Sequence, residues 1–259
     1  MSISKTEREE LKNAKDLLEN PSIAAKISNE VGKPIDKIME YLPEGWNTFI
    51  GKVVQKTLFK ASEGAAFTLK NSTGRKPWNK LHKAGAALSG GIGGFIGFPA
   101  LPFEIPISTA LILRSIADIA QSTGERISSK ETKIACLEVL ALGGSSDSDD
   151  AAETGYYSIR AMLAKSVSDA SKHLASKGIS EDGAPVLVRL IAKIAEKFGV
   201  EVSQKVAAQA VPYIGAAAGA TVNTIFMSHF QKMATGHFII RKLERKYGKN
   251  EIERIYNQI

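Results

Sequence analysis

Cysteine, aromatic residues and strand-like alternation are all scarce in this chain of 259 residues. A single cysteine, Cys136, excludes an internal disulfide bond and any zinc site built from several cysteines. Because Cys136 lies in a helical pattern, a buried and inert thiol is favoured over a nucleophile. No stretch alternates apolar and polar residues as a half-buried strand would, whereas apolar residues recur at helical spacing in most segments. The pattern predicts an all-α fold, a single compact domain of roughly nine helices.

The common catalytic and cofactor motifs are absent as well. The chain contains no HExxH, no G-x-S-x-G and no Walker loop. The glycines between residues 90 and 97 follow no predicted strand, so they do not form a dinucleotide-binding turn. His229 and His237 are separated by about 12 Å of helical rise, which is too far to share one metal ion. The sequence therefore predicts no metal site and no cofactor, and it favours a non-enzymatic protein.

Acidic residues are missing from the region between Gly64 and Phe103, although the chain as a whole carries a net charge of +7. The first part of this region is basic, and some twenty uncharged, glycine-rich residues follow it. Cations beside an apolar segment, with a tryptophan at the boundary, are typical of a membrane interface. The predicted membrane-binding residues are Arg75, Lys76, Trp78, Lys80 and Lys83. A second basic cluster comprises Arg241, Lys242, Arg245, Lys246, Lys249 and Arg254.

The glycine-rich segment predicts a short helix over residues 84–98, followed by a kinked connector over residues 99–106 that contains three prolines. Such a helix is about 22 Å long, less than the roughly 30 Å hydrocarbon core of a bilayer. Three alternatives remain open: a close-packed core hairpin, an interfacial or re-entrant membrane segment, and a single transmembrane helix. Predicted helix-packing residues are Gly90, Gly94, Gly97, Gly215 and Gly219. We expect this helix to form a central helical hairpin and to pack with helices over 105–121 and 212–225.

Charged residues embedded in apolar helix are the candidates for chemistry. Arg114 and Asp118 are neighbours on one helix face, and Glu104 precedes the predicted start of that helix. A structural ion pair and a functional pocket are both compatible with this pattern. The catalytic candidates of a hydrolase-like alternative are Glu104, Arg114, Asp118, Asn223 and His229.

Four blocks within residues 75–248 resemble, in order, the EcsC family of bacterial proteins. They begin GGIGGFIGFPALPFEIP, ETKIACLEVLALGG, GYYSIRAML and VPYIGAAAGATVN. Many members carry Asp-(Ile/Leu/Val)-Pro where this chain has Glu104-Ile105-Pro106, so the carboxylate is longer here by one methylene. The family takes its name from a protein encoded beside an ABC transporter. The resemblance thus implies an accessory role to a membrane transporter or secretion process.

The last block also resembles a helical membrane-associated domain that follows some bacterial GTPase domains, through Pro212, Gly215, Gly219 and Asn223. We expect three regions: an N-terminal helical region over 1–70, an EcsC-like domain over 71–248 and a tail helix over 249–259. The N-terminus is hydrophilic and lacks the apolar core of a secretory signal, which predicts a cytoplasmic protein at the inner face of the plasma membrane. The expected partner is an anionic membrane surface or a membrane protein complex. A nucleic-acid partner has charge alone in its favour, and the sequence does not indicate an oligomeric state.

Overall fold

The computed structural model describes residues 3–19, 23–62, 77–96, 98–142, 155–177, 184–211 and 215–259. Within these ranges it contains eleven α-helices, one 3₁₀ turn and no strand, which confirms the all-α prediction. The helices are α1 (Lys5–Leu18), α2 (Ile23–Val31), α3 (Ile35–Met39), α4 (Trp46–Lys60), α5 (Asn79–Ile96), α6 (Leu101–Ser122), α7 (Lys130–Val139), α8 (Tyr156–Lys177), α9 (Ala184–Ala210), α10 (Gly215–Tyr247) and α11 (Lys249–Gln258).

Local signals fix several helix ends. At the start of α1, the Ser4 hydroxyl accepts a hydrogen bond from the Glu7 N–H at 3.2 Å, and the Glu7 carboxylate accepts one from the Ser4 N–H. Gly248 separates α10 from α11 with φ of +87°, a backbone conformation that glycine adopts without strain. These features are readable from sequence because they depend on residues only a few positions apart.

The region around the prolines differs from the expectation of a short helix and a long connector. The helix α5 begins at Asn79 rather than 84, so Lys80 and Lys83 lie on its first turns. The predicted connector over 99–106 is wrong, because a 3₁₀ turn at Phe98–Ala100 leads directly into α6 at Leu101. Pro102 is accommodated in the first turn of α6, where backbone N–H groups have no helical partner in any case.

The helix α10 is the long central element of the fold. The helix α5 packs along it, and α6 packs against both, so the three helices expected at the centre do meet there. The helix α1 packs against α10 at Gly236. A Cβ atom added to Gly236 would lie 2.6 Å from Leu18 Cγ and 2.9 Å from the Ala14 carbonyl oxygen. A residue larger than glycine at 236 would push α1 away.

The helix α6 lies between α5 and α4, and α4 packs on α9. The inner side of α6 faces α10, whereas Phe103, Ile107 and Ala110 on its other side are exposed. None of the helices in the described ranges is both long enough and apolar enough to cross a membrane.

Candidate functional site: the two faces of α6

The inner face of α6 carries a buried ion pair. Glu104 Oε1 accepts a hydrogen bond from Lys205 Nζ of α9 at 2.6 Å, and the Lys205 side chain is 0% exposed. Lys205 also donates to Ser108 Oγ at 3.2 Å, and its Nζ lies 5.3 Å from the centre of the Phe226 ring. Two charges buried this deeply stay ionised at low cost only when they are paired and hydrogen-bonded.

Asn223 of α10 extends this cluster. Its Nδ2 donates to Glu104 Oε1 at 3.3 Å and to the Ala86 carbonyl oxygen of α5 at 3.1 Å. Gln209 Nε2 of α9 is 3.5 Å from Asn223 Oδ1. The cluster thus joins α5, α6, α9 and α10. Of the sequence candidates, Glu104 and Asn223 are brought together, whereas Lys205 was missed although it is a lone cation within an otherwise uncharged stretch over 202–210.

Asp118 lies at the opposite end of α6. It is buried, accepts a hydrogen bond from the Trp78 N–H and lies 3.6 Å from His82 Nε2. A carboxylate in this position stabilises the first turn of α5. Almost four helical turns, about 21 Å, separate Asp118 from Glu104, and the Arg114 side chain is exposed. The charged candidates on α6 therefore occupy different environments and do not share one pocket.

His229 and the other buried histidine of α10, His237, belong to further contacts. His229 Nδ1 is 3.3 Å from Lys26 Nζ of α2. His237 Nδ1 is 3.0 Å from the Tyr156 hydroxyl, and burial holds the pKa of His237 well below its usual value, so this ring is neutral. Arg160 joins the same network through the Tyr156 hydroxyl at 3.1 Å.

Arg160 is also the anchor of a bidentate ion pair. Its Nη1 and Nη2 donate to the two carboxylate oxygens of Glu244 at 2.7 and 3.0 Å. This pair fastens α8 to the end of α10. No local pattern indicates this pair, because Glu244 lies 84 positions from Arg160 in the chain.

The outer face of α6 has the opposite character. Phe103 is 73% exposed and Ile107 is 53% exposed, and these side chains are one helical turn apart. Pro102 and Ala110 are exposed beside them. An exposed pair of large apolar side chains on a charged protein marks a candidate interaction surface.

The helix α4 borders this face with three exposed lysines, Lys52, Lys56 and Lys60, each one turn after the last. The helix contains no aspartate or glutamate. In the part of the chain that the structure describes, none of the three forms an ion pair. The three lysines form a stripe of positive charge, which we call the α4 lysine stripe.

A groove of about 460 Å³ separates the α4 lysine stripe from the outer face of α6. Its lining residues within the described ranges are Val53, Lys56, Thr57, Lys60, Ala61, Pro102, Pro106 and Ala110. Two lysines on one wall thus face two prolines and an alanine on the other.

The C-terminal basic cluster is paired instead. Its ion pairs are Lys242 with Glu10 at 3.1 Å, Lys246 with Glu7 at 2.6 Å, Arg241 with Glu125 at 3.2 Å, Arg254 with Glu251 at 2.7 Å, and Arg245 with Glu125. The two arginines beside Glu125 hold the pKa of that carboxyl below its usual value against the opposing effect of burial. Most of this cluster's charge is therefore neutralised within the protein.

The predicted membrane-binding residues are only partly covered by the structure. Trp78 and Lys80 are exposed at the start of α5, Lys83 is partly exposed, and Arg75 and Lys76 lie outside the described residues. Leu81 is exposed beside them and was not predicted. Of the predicted packing glycines, Gly90 and Gly94 lie in α5, Gly215 and Gly219 lie in α10, and Gly97 is outside the described residues.

Comparison with known proteins identifies the family. The model of the EcsC protein family matches residues 5–243, so the chain belongs to this family. The match begins in α1 and includes α2 to α4, a wider region than the four blocks within 75–248. No curated protein and no solved structure shows a significant match to the chain.

Proposed function

We propose that the chain is a non-enzymatic, peripheral membrane protein that docks on an anionic phospholipid surface through the outer face of α6 and the α4 lysine stripe. The observation that carries this proposal is that the apolar wall of α6 faces Lys56 and Lys60 across one groove, while Phe103 and Ile107 are exposed on the same helix. A bilayer interface offers a partner to both, since it removes apolar side chains from water and places anionic headgroups beside them.

Removing the exposed apolar side chains of this surface from water would favour docking. Burying an exposed Phe or Ile side chain is worth about 1.5–3 kcal/mol. Phe103 and Ile107 point outward from the same side of α6, so a flat surface can cover both at once. Their burial in the interface would supply the salt-resistant part of the binding energy.

The electrostatic contribution to docking depends on where the acidic residues lie. Between Glu63 and Asp118 the only acidic residue is Glu104, and its carboxylate is turned inward to Lys205. The outer face therefore meets anionic headgroups with no acidic residue of α4 or α6 exposed on it. Each lysine near such a surface is worth about 1 kcal/mol at moderate salt.

The start of α5 provides a second set of contacts. Trp78, Lys80 and Leu81 are exposed there, at the end of the α5–α6 pair opposite to Phe103. Tryptophan and lysine side chains favour the headgroup region of a bilayer. An orientation with α6 parallel to the surface lets both sets bind, with Arg75, Lys76 and Lys83 contributing further charge.

The family resemblance indicates which kind of membrane protein would be the partner. Because the family takes its name from a protein encoded beside an ABC transporter, the docked protein is proposed to be accessory to a membrane transporter or secretion process. The proposed location is the inner face of the plasma membrane, where anionic lipids give a negative surface potential.

Co-sedimentation with lipid vesicles tests the docking. We expect the wild-type protein to pellet with vesicles containing phosphatidylglycerol and to stay in the supernatant with phosphatidylcholine alone. The double substitution Phe103→Ser and Ile107→Ser should weaken vesicle binding roughly a hundredfold, the loss expected from two partly buried apolar side chains.

A matched control uses apolar residues exposed elsewhere. Met162 of α8 is 47% exposed and Val200 of α9 is 50% exposed, so Met162→Ser with Val200→Ser removes comparable apolar surface outside the proposed face. This variant should pellet like the wild type. The docking proposal fails if wild-type protein ignores anionic vesicles, or if both double variants bind equally well.

A further inference from the structure

The groove between α4 and α6 has two chemically different walls. Lys56 and Lys60 lie one turn apart on the α4 wall, with Thr57 beside them. The opposite wall consists of Pro102, Pro106 and Ala110, whose side chains carry no polar atom, and Val53 and Ala61 complete the lining among the described residues. The volume of about 460 Å³ lies in the range typical of small-molecule sites.

The apolar wall is suited to a hydrocarbon chain. A proline has no backbone N–H, so Pro102 and Pro106 present rings to the groove without adding backbone donors. Val53 and Ala61 add aliphatic surface from the α4 side. A polar ligand alone would leave these surfaces without suitable partners, whereas an acyl chain would be removed from water by them.

The lysines are suited to an anionic headgroup. Lys56 and Lys60 are neighbours on one helix face, and lysine binds phosphate as a point charge. Neither has an acidic partner within the described residues. Within those residues, the two charges are therefore not neutralised by an acidic side chain.

We propose that this groove binds a single anionic phospholipid molecule, with an acyl chain against Pro102, Pro106 and Ala110 and the headgroup phosphate between Lys56 and Lys60. The inference rests on the proposed docking, because the groove opens on the face that would meet the bilayer and a lipid would enter it from there. It goes beyond docking in assigning a stoichiometric site for one lipid.

Binding of a monomeric lipid tests the site without a bilayer. Dihexanoyl phosphatidylglycerol, kept below its micellar concentration, should bind the full chain saturably with one site in isothermal titration calorimetry. Lys56→Gln and Lys60→Gln should each weaken this binding about fivefold. Lys52→Gln is the matched control, because Lys52 belongs to the same stripe but is not among the groove-lining residues; its affinity for the monomer should be unchanged.

Filling the groove gives an independent variant. Ala110 is exposed and lines the groove, so Ala110→Phe should occupy the acyl-chain position and abolish saturable binding of the monomer. Circular dichroism and the melting temperature check that this variant is folded. If it is not, the comparison of Lys56→Gln and Lys60→Gln with Lys52→Gln decides.

Two further probes identify the ligand chemistry. Dihexanoyl phosphatidylcholine, which has the same chains and no net charge, should bind at least tenfold more weakly than the phosphatidylglycerol, and millimolar inorganic phosphate should not displace the lipid. Equal binding of both lipids, or full displacement by phosphate, would overturn the assignment of an anionic phospholipid site.

Vesicle binding of the same variants separates this inference from the docking proposal. Ala110→Phe should still pellet with anionic vesicles while losing the monomer. A wild-type protein that pellets with vesicles but shows no saturable monomer binding overturns the lipid site and leaves docking intact. A protein that binds the monomer but not vesicles supports the site and overturns docking.

Discussion

The C-terminal half of α10 and the helix α4 both present cations to solvent, yet their cations have different surroundings. On α10, Lys242 and Lys246 are paired with glutamates of α1. On α4, Lys56 and Lys60 line a groove whose opposite wall is apolar. The paired cations fasten helices to each other, whereas no acidic side chain in the described ranges forms an ion pair with the α4 lysine stripe. A net charge of +7 does not distinguish these two situations, because it depends on composition alone.

Lys205 represents a third situation, a cation sealed in the core. Its ion pair with Glu104 is flanked by Ser108 and Asn223, so the charges are compensated where water is excluded. The Glu104 carboxylate is held inside by this pair, whereas Phe103 and Ile107 of the same helix are exposed to solvent.

Breaking the sealed pair should have the largest effect. Glu104→Ala leaves the Lys205 ammonium buried without a carboxylate, and the free energy of unfolding should fall by about 3–5 kcal/mol. Urea denaturation followed by circular dichroism measures the loss. The double variant Glu104→Met with Lys205→Met should recover much of it, because replacing both charges removes the unpaired one. A loss below about 1 kcal/mol for Glu104→Ala would mean that water reaches Lys205 and that the cluster is not sealed.

Two triple variants that lower the net charge by the same amount test whether vesicle binding depends on where the cations lie or on the total charge. Replacing Lys52, Lys56 and Lys60 with Gln removes the α4 lysine stripe. Vesicle affinity should fall roughly a hundredfold, at about 1 kcal/mol for each lysine. Replacing Lys242, Lys246 and Arg254 with Gln removes cations that are already paired, and vesicle affinity should change by less than about threefold.

Co-sedimentation at a fixed ionic strength measures both triple variants. Each retains its buried residues, since all six cations are on the surface, and melting temperatures serve as the check on folding. Equal losses in the two variants would show that net charge alone drives binding, and the contrast between α4 and α10 would then have no functional meaning.

Short-range features of the fold were predictable from the sequence. The Ser4–Glu7 capping box and the cap at Gly248 depend on residues within one or two turns, and the helical pattern around Cys136 predicted its burial. Burial raises the pKa of the Cys136 thiol, as expected for an inert residue. The association of α5, α6 and α10 was also predictable, because small residues in two apolar helices allow close packing.

The features that define the site were not predictable in the same way. Lys205 and Glu104 are 101 positions apart in the chain, and no local pattern pairs them. The prolines at 102 and 106 predicted a break, but Pro102 fits the first helical turn and α6 continues through Pro106. The groove itself requires α4 and α6 to be neighbours, which is a property of the tertiary structure.

Glu201 sharpens the same contrast from the acidic side, because within the described residues it has neither a hydrogen-bond partner nor a cation that lowers its pKa. It is buried on α9, and within the described part of the chain neither carboxylate oxygen has a hydrogen-bond partner. Burial raises the pKa of Glu201 well above its usual value of 4.5, so the folded protein holds it protonated. The unfolded chain loses this proton near pH 4.5. Stability from this group is therefore complete below that pH and declines as the pH rises toward the folded pKa.

The substitution Glu201→Gln should remove this pH dependence, since an amide does not ionise in either state. The variant should match the wild type near pH 4 and become progressively more stable than it toward pH 8, as measured by urea denaturation at several pH values. All other titrating groups are common to both proteins, so their contributions cancel in the difference. Parallel stability curves across this range would show that Glu201 ionises in the folded state, and hence that water or a cation reaches it. The charge of Glu201 would then be stabilised by solvent or a cation. In that case, buried charges of the core would not differ from the α4 lysine stripe by always being paired within the protein.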